Sequence, residues 1–457
     1  MKLLQSPFKP VLVGVVLVAA VCGTSVAGGE PGSDPYGGYL GPNRDNIYPG
    51  TGLLAHWPAT GPKLLWKYDQ LGDGWTSVSV AGGAVYTLGG TPGNLFAFTL
   101  DGELKYKAPY GREFQKRFNG SRSTPEIRGG AVYFASGVGV VYCLDAATGA
   151  KRWEVDTVAA FSNKVSGWGY NITPLMVDDK VICPIRRGTA TMVALDAATG
   201  KTVWSSPAST YGIGDSSPVL VQRGPTRLVF CNLWNATVAI DPGNGDIVWK
   251  YEGPSGTTVT SPVIGDRVFA TRGNGTALYR LAKDGKGFDL VWEGEGIHGL
   301  NQAVALDGKI FVLAKENRSI ERVEVKGGKE QKRTVTQSMF CIQARDLATG
   351  KRLHSEPVTK DGSMSAADGM IYLLEGGEGA WQAGQPAKTQ LSLIKPTPTG
   401  FEIVSRFDPL VGTKEAWLNP CIAAGRLFLR HGSLLACYDL RPASYRSDSP
   451  AGNTERK

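Results

Sequence analysis

The chain has 457 residues, with 49 Lys and Arg against 41 Asp and Glu, for a formal net charge of +8. Its basic residues are scattered, with the densest patch at Lys326–Arg333, and no basic stripe carries interleaved aromatics, so nucleic acid is not an expected partner. Sixty glycines and eleven tryptophans with hardly any helical periodicity describe short strands joined by tight turns, an all-β composition.

The chain opens with Lys2 and Lys9, an uncharged apolar run from Val11 to Val21, and a small-x-Ala site at Thr24-Ser25-Val26-Ala27. This order reads as a secretory signal peptide over residues 1–27, and its removal leaves +6. The run is short of the roughly 20 residues a membrane helix needs. Cys22 opens a second reading, lipid anchoring, although Val21 stands where a lipobox wants a small residue. Residues 28–61 are rich in Gly and Pro and read as an irregular arm wrapping the outside of the fold.

Internal repeats follow. The clearest copies are VYCLDAATGAKRWEV (141–155), MVALDAATGKTVWSS (192–206) and TVAIDPGNGDIVWKY (237–251). Each reads as strand, turn, strand: Asp bonds its own backbone, Gly takes positive φ, and the Trp alternates with polar neighbours. Upstream of each copy stands a second strand pair opened by Ser-x-Pro, as in STPEIRGGAVYFAS (123–136) and TSPVIGDRVFATRG (260–273). Eight such units occur. The aromatics Trp66, Tyr106, Trp153, Trp204, Trp249 and Trp292 recur every 40 to 51 residues, a propeller period.

The eighth unit ends at LLACYDLR (434–441) without a Trp strand, and the chain begins with an orphan one, KLLWKYD (63–69). The two complete each other. We therefore expect one eight-bladed β-propeller over residues 62–441, closed by an N-terminal strand that finishes the last blade. Residues 315–338 interrupt the sixth unit as an extended hairpin or loop, 377–390 form a second insertion, and 442–457 read as a disordered tail. Six cysteines remain after cleavage, all in apolar strand-like runs, and read as small buried hydrophobes.

The A-x-D-x-x-T-G-x-x-x-W repeat, best kept in LDAATGAKRW and LDAATGKTVW, resembles that of pyrroloquinoline-quinone (PQQ)-dependent alcohol dehydrogenases. It also resembles related non-enzymatic propellers, including the lipoprotein subunit of the outer-membrane protein assembly machine. The leader GPNRDN (41–46) with HWPATGPKLLWKY (56–68) is similar to exported quinoprotein-like repeat proteins of planctomycetes. The resemblance implies fold over nearly the whole mature chain, and one fold hosts many activities.

Residues entering the innermost strands rim one mouth of a propeller. Here that rim comprises Trp75, Arg122, Trp168, Tyr170, Asn171, Asp215, Asn301 and Trp417, with Thr76, Thr258, His298, Gln302, Ser363 and Asn419 beside them. Such a funnel could stack a flat polar ligand and pair its carboxylates with Arg. The resemblance to quinone dehydrogenases implies more: a vicinal disulfide, a stacking Trp, a calcium ion on Glu, Asn and Asp, and an Asp base. No two cysteines here are neighbours, and Asp215 with Asn171 falls short of the 6–8 oxygens calcium takes. The four histidines show no zinc spacing, and no nucleophile elbow or phosphate loop occurs. No catalytic residue or metal ligand set is assigned. The expectation is an exported, monomeric scaffold without a cofactor or membrane span, binding a protein partner or extended ligand on a propeller face. The alternative is a dehydrogenase of alcohol or sugar using PQQ and Ca²⁺.

Overall fold

The computed structural model describes residues 37–442, apart from residue 117 and the segments 212–215, 254–259, 273–274, 298–302, 327–328, 377–388, 410–411 and 413–417. The expected signal peptide, and the expected tail beyond residue 442, lie outside the described residues. Within them the chain folds into eight four-stranded antiparallel sheets, one gaining a short fifth strand from the arm. The innermost strands are Ser79–Ala81, Glu126–Arg128, Leu175–Val177, Val219–Arg223, Val263–Ile264, Val304–Leu306, Gly362–Ala367 and Cys421–Ala423, and they define blades one to eight.

Closure follows the reading of the sequence. Leu64–Tyr68 pairs antiparallel with Leu434–Asp439, placing Trp66 opposite Cys437 as the outer strand of blade eight. One apolar cluster crosses this seam, joining Tyr372 of blade seven, Phe428 of blade eight and Phe98 of blade one. The ring thus has no open edge where the chain ends meet.

The repeated Trp and the repeated turn are two halves of one joint. In the Asp145 turn, Oδ1 accepts from the amides of Ala147 and Thr148 and from the Thr148 hydroxyl. Gly200, in the equivalent turn of blade three, has φ +72° and lies under the Trp153 ring of blade two, so close that a Cβ would sit 2.9 Å from it. Trp153 Nε1 then donates to Ala197 O at 2.9 Å. The same joint pairs Trp66 with Leu100, Trp204 with Pro242 and Trp292 with Leu347, at 2.9–3.0 Å. Tyr106 and His354 take the ring position in blades one and six, packing on Gly149 and Gly400.

Blade seven departs from the rule. Ser405 occupies the Trp register, and Trp57 of the arm fills the gap, buried against Phe407 and Tyr372, with its amide donating to Ser405 Oγ at 3.0 Å.

The Ser-x-Pro segments also have a shared task. Ser77 N donates to Thr124 Oγ1, Thr124 N to Thr173 Oγ1, Thr173 N to Ser217 Oγ and Ser217 N to Thr260 Oγ1, at 3.0–3.2 Å. A belt of hydroxyls therefore ties five consecutive blades around the channel, satisfying amides that the short inner strands leave over. All six described cysteines are free and buried, as expected for core residues. Burial pushes the Cys183, Cys231 and Cys421 thiols up to about 12, the opposite of a reactive thiol.

Candidate functional site: the two mouths of the channel

The channel has two mouths of opposite character. We call upper the face on which innermost strands begin, and lower the face on which they end.

The arm enters the channel from the lower face. This corrects the expectation that residues 28–61 wrap the outside: residues 53–61 do cover the seam of blades seven and eight, while 37–48 plug the ring. Gly37 pairs with Ile127 of blade two and packs on the backbone of Val80 in blade one. Arg44, at φ +54° and 5% exposed, donates to the carbonyls of Thr173, Pro174 and Pro218 in blades three and four and pairs with Glu126 Oε1 at 2.6 Å. Its carbonyl accepts from Val263 of blade five. Asn46 reaches Ala303 O of blade six, accepts the Ala366 amide of blade seven at 2.7 Å, and accepts from Asn419 Nδ2 of blade eight at 3.0 Å. All eight blades touch this one segment.

The physical reason is the channel wall itself. Short inner strands leave carbonyls facing the axis, and one guanidinium, with five fixed donors, satisfies several of them at once. Burial pushes the Glu126 carboxyl up despite the Arg44 charge beside it. The GPNRDN motif carried the signal, because Gly41, Arg44 and Asn46 all take positive φ, a compact shape that an outer wrap does not require.

The upper mouth carries the rim. Glu113 is buried, accepting from Tyr110 Oη at 2.7 Å and from the amides of Phe114 and Gly137, and burial raises its carboxyl. It anchors the loop that presents Phe118. Phe118 stands edge-on to Trp75, with centroids 5.3 Å apart, and stacks on Trp168 at 5.6 Å and 24°. Arg122 lies over the Phe114 ring at 4.6 Å and donates to Trp168 O and Phe118 O, both at 2.6 Å. Its guanidinium thus knits two loops together, rather than standing open to pair a ligand carboxylate. Trp168 remains 50% exposed.

Tyr170 departs from the expected rim. Its ring is turned into the core between blades two and three, and its hydroxyl donates to Pro184 O at 2.6 Å. Asn171 lies beside it with Oδ1 enclosed and without a partner among the described residues. Asp215, Asn301 and Trp417 lie outside the described residues, as do Thr258, His298 and Gln302. Ser363 Oγ donates to Leu418 O, and Asn419 serves the plug. The sequence reading missed Trp234, 51% exposed, in the turn between the second and third strands of blade four on this same face.

One long insertion also opens on the upper face. Lys309–Lys326 and Lys329–Asp346 form a hairpin of two 18-residue strands in blade six, as 315–338 had suggested; residues 377–388 in blade seven lie outside the described residues. Among the described residues no group of three His, Cys, Asp or Glu could hold a metal, and no helix is long and apolar enough to cross a membrane. Of the residues expected to hold a calcium–quinone pair, Arg122 and Tyr170 are engaged within the protein, and Asp215 lies outside the described residues.

This fold and its repeat define a PQQ-like β-propeller. The family model described as "Outer membrane protein assembly factor BamB" matches residues 102–334, just over half of the chain. The chain belongs to that family. A quinohemoprotein alcohol dehydrogenase, ADH IIB of Pseudomonas putida, is 26% identical over 208 residues, covering 39% of this chain and 28% of the enzyme, so the chain spans under a third of that relative. BamB from Moraxella catarrhalis superposes with a TM-score of 0.55 at 15% identity, over 82% of this chain and 97% of that one. A europium-containing methanol dehydrogenase superposes at 0.60 and 12% identity, over 85% and 88%. At these identities the likenesses show the fold alone.

Proposed function

We propose that the protein is an exported scaffold that binds a protein partner or an extended ligand through the upper face of its propeller. One observation carries this reading. The chain plugs its own channel from below, while the face above presents two half-exposed tryptophans, Trp168 and Trp234, of the kind that anchor interfaces. The family's described role in assembly, and a leader similar to exported repeat proteins of planctomycetes, agree with it. The test is crosslinking of the tagged protein in its native cell envelope. A specific crosslinked species lost in Trp168→Ala/Trp234→Ala, with unfolding unchanged, is the expected result. Crosslinks indifferent to both residues would remove the two tryptophans from the interface.

A second reading, a quinone-dependent dehydrogenase, draws on the Trp75–Phe118–Trp168 stack and the alcohol dehydrogenase likeness. Titration of the purified protein with quinone and Ca²⁺, followed by tryptophan fluorescence, separates the two: saturable quenching lost in Trp168→Ala favours the enzyme.

A further inference from the structure

The hairpin of blade six outgrows its blade. The innermost strand pairs with it only as far as Phe311, and the outer strand only from Cys341. Beyond Phe340, whose carbonyl still accepts from Val358 N, Glu316–Lys326 pairs in the ladder with Lys329–Met339 alone, a two-stranded ribbon roughly 37 Å long at 3.4 Å per residue. Both of its edges carry backbone donors and acceptors without a third strand.

An isolated two-stranded hairpin is marginal in water, and this one is held rigidly at its root. Glu316 accepts from Gln343 Nε2 at 2.6 Å, from the Ser355 hydroxyl and from Arg318 Nε, with Arg352 3.3 Å away. Gln343 in turn accepts from the fully buried Arg345, which reaches Glu295 O of blade five. The direction of the ribbon is therefore fixed by the ring.

Its charges are not arranged for solubility alone. Glu321 and Lys332 lie 3.3 Å apart and cancel each other. Arg322, by contrast, stands directly opposite Arg333, both exposed and neither in an ion pair among the described residues. Like charges directly opposite destabilise a ribbon, so this pair works against the fold that displays it. The neighbouring pair on the same face, Ile320 opposite Val335, is apolar.

We propose that this ribbon accepts an extended acidic segment of a partner protein as a third strand, its carboxylates meeting Arg322 and Arg333 and an apolar side chain covering Ile320 and Val335. The backbone edges supply the hydrogen bonds of strand addition, and the arginines supply selection. A second copy of the chain fits poorly, since a two-fold pairing would bring four guanidinium groups together. An anionic lipid surface would satisfy the arginines but leaves the backbone edges unused. This inference rests on the scaffold reading and names the chemistry of its partner.

The probe is a fluorescent peptide of roughly ten residues, with alternating Glu around a central Val, titrated against the intact protein by anisotropy. Saturable binding is expected, weakened about tenfold or more in Arg322→Glu/Arg333→Glu and by ~0.5 M salt. It should also be lost when alternate peptide amides are N-methylated, and be unchanged in Lys201→Glu, a charge reversal in an exposed turn of blade three. Absence of binding, binding indifferent to the charge reversal, or equal binding of the N-methylated peptide would overturn it. So would binding to phosphatidylglycerol vesicles without binding to the peptide. Crosslinks that need Trp168 and Trp234 but survive the arginine reversal would sink the ribbon and leave the scaffold standing; absence of crosslinks with peptide binding intact would do the reverse.

Discussion

Arg44 Nη2 lies 2.6 Å from Glu126 Oε1 inside the channel of the ring, where both side chains are close to fully enclosed. Removing one member of such a pair leaves an uncompensated buried charge, which costs about 3–5 kcal/mol. Arg44→Met should therefore lower unfolding free energy by about 3 kcal/mol in urea, and Arg44→Met/Glu126→Gln should recover part of it. Additive losses in the double variant would show that the two residues do not act as a pair.

The plug can also be watched one amide at a time. Ala366 N–H donates to Asn46 O at 2.7 Å. In Arg44→Ala its hydrogen exchange should accelerate well beyond that of Leu373, which lies in the second strand of the same blade. Equal acceleration of both would mean that the blade loosens as a whole, without selective release of the arm.

The blade joints predict an unusual rescue. Trp57→Ala empties the place that Trp57 takes beside Ser405, with an expected loss of about 3 kcal/mol for a buried Trp. Adding Ser405→Trp restores a ring at the register that Trp153 and Trp204 hold in blades two and three, and should return at least about 1 kcal/mol. A double variant weaker than Trp57→Ala would show that the arm has shaped blade seven beyond repair.

His431 gives the protein an acid-sensitive point. It is buried at the upper end of blade eight, neither ring nitrogen has a partner among the described residues, and burial lowers its pKa to about 4. The unfolded chain takes up that proton near pH 6.5, so stability should fall as pH drops from about 6.5 to about 4. His431→Leu should flatten that part of the stability–pH curve. An unchanged slope would place the titrating group elsewhere.

What could be read from the sequence was whatever repeats. Asp145 with Thr148, Trp153 with its turn, and the orphan strand around Trp66 were legible because one blade's chemistry recurs along the chain. The six cysteines were legible for the same reason, occupying strand positions held by Ala or Val elsewhere. The arm was not. Arg44 and Asn46 find partners from Glu126 to Asn419, so their contacts leave no local period. Tyr170 was misplaced because spacing puts it among rim residues and cannot show which way its ring turns. Trp57 was read only as part of an irregular arm because Ser405, the residue that makes it necessary, lies 348 positions away.

Closure by Leu64–Tyr68 has a kinetic consequence. Trp66 and its neighbour Cys437 sit at opposite ends of the folded sequence, so their pairing is among the most distant contacts a chain of this length can make. Until the strand at Leu434–Asp439 exists, Leu64–Tyr68 has no sheet to join, and the arm that precedes it has no complete channel to enter. The ring must finish last where the chain started first, and during that interval blade eight offers an open strand edge to any chain nearby.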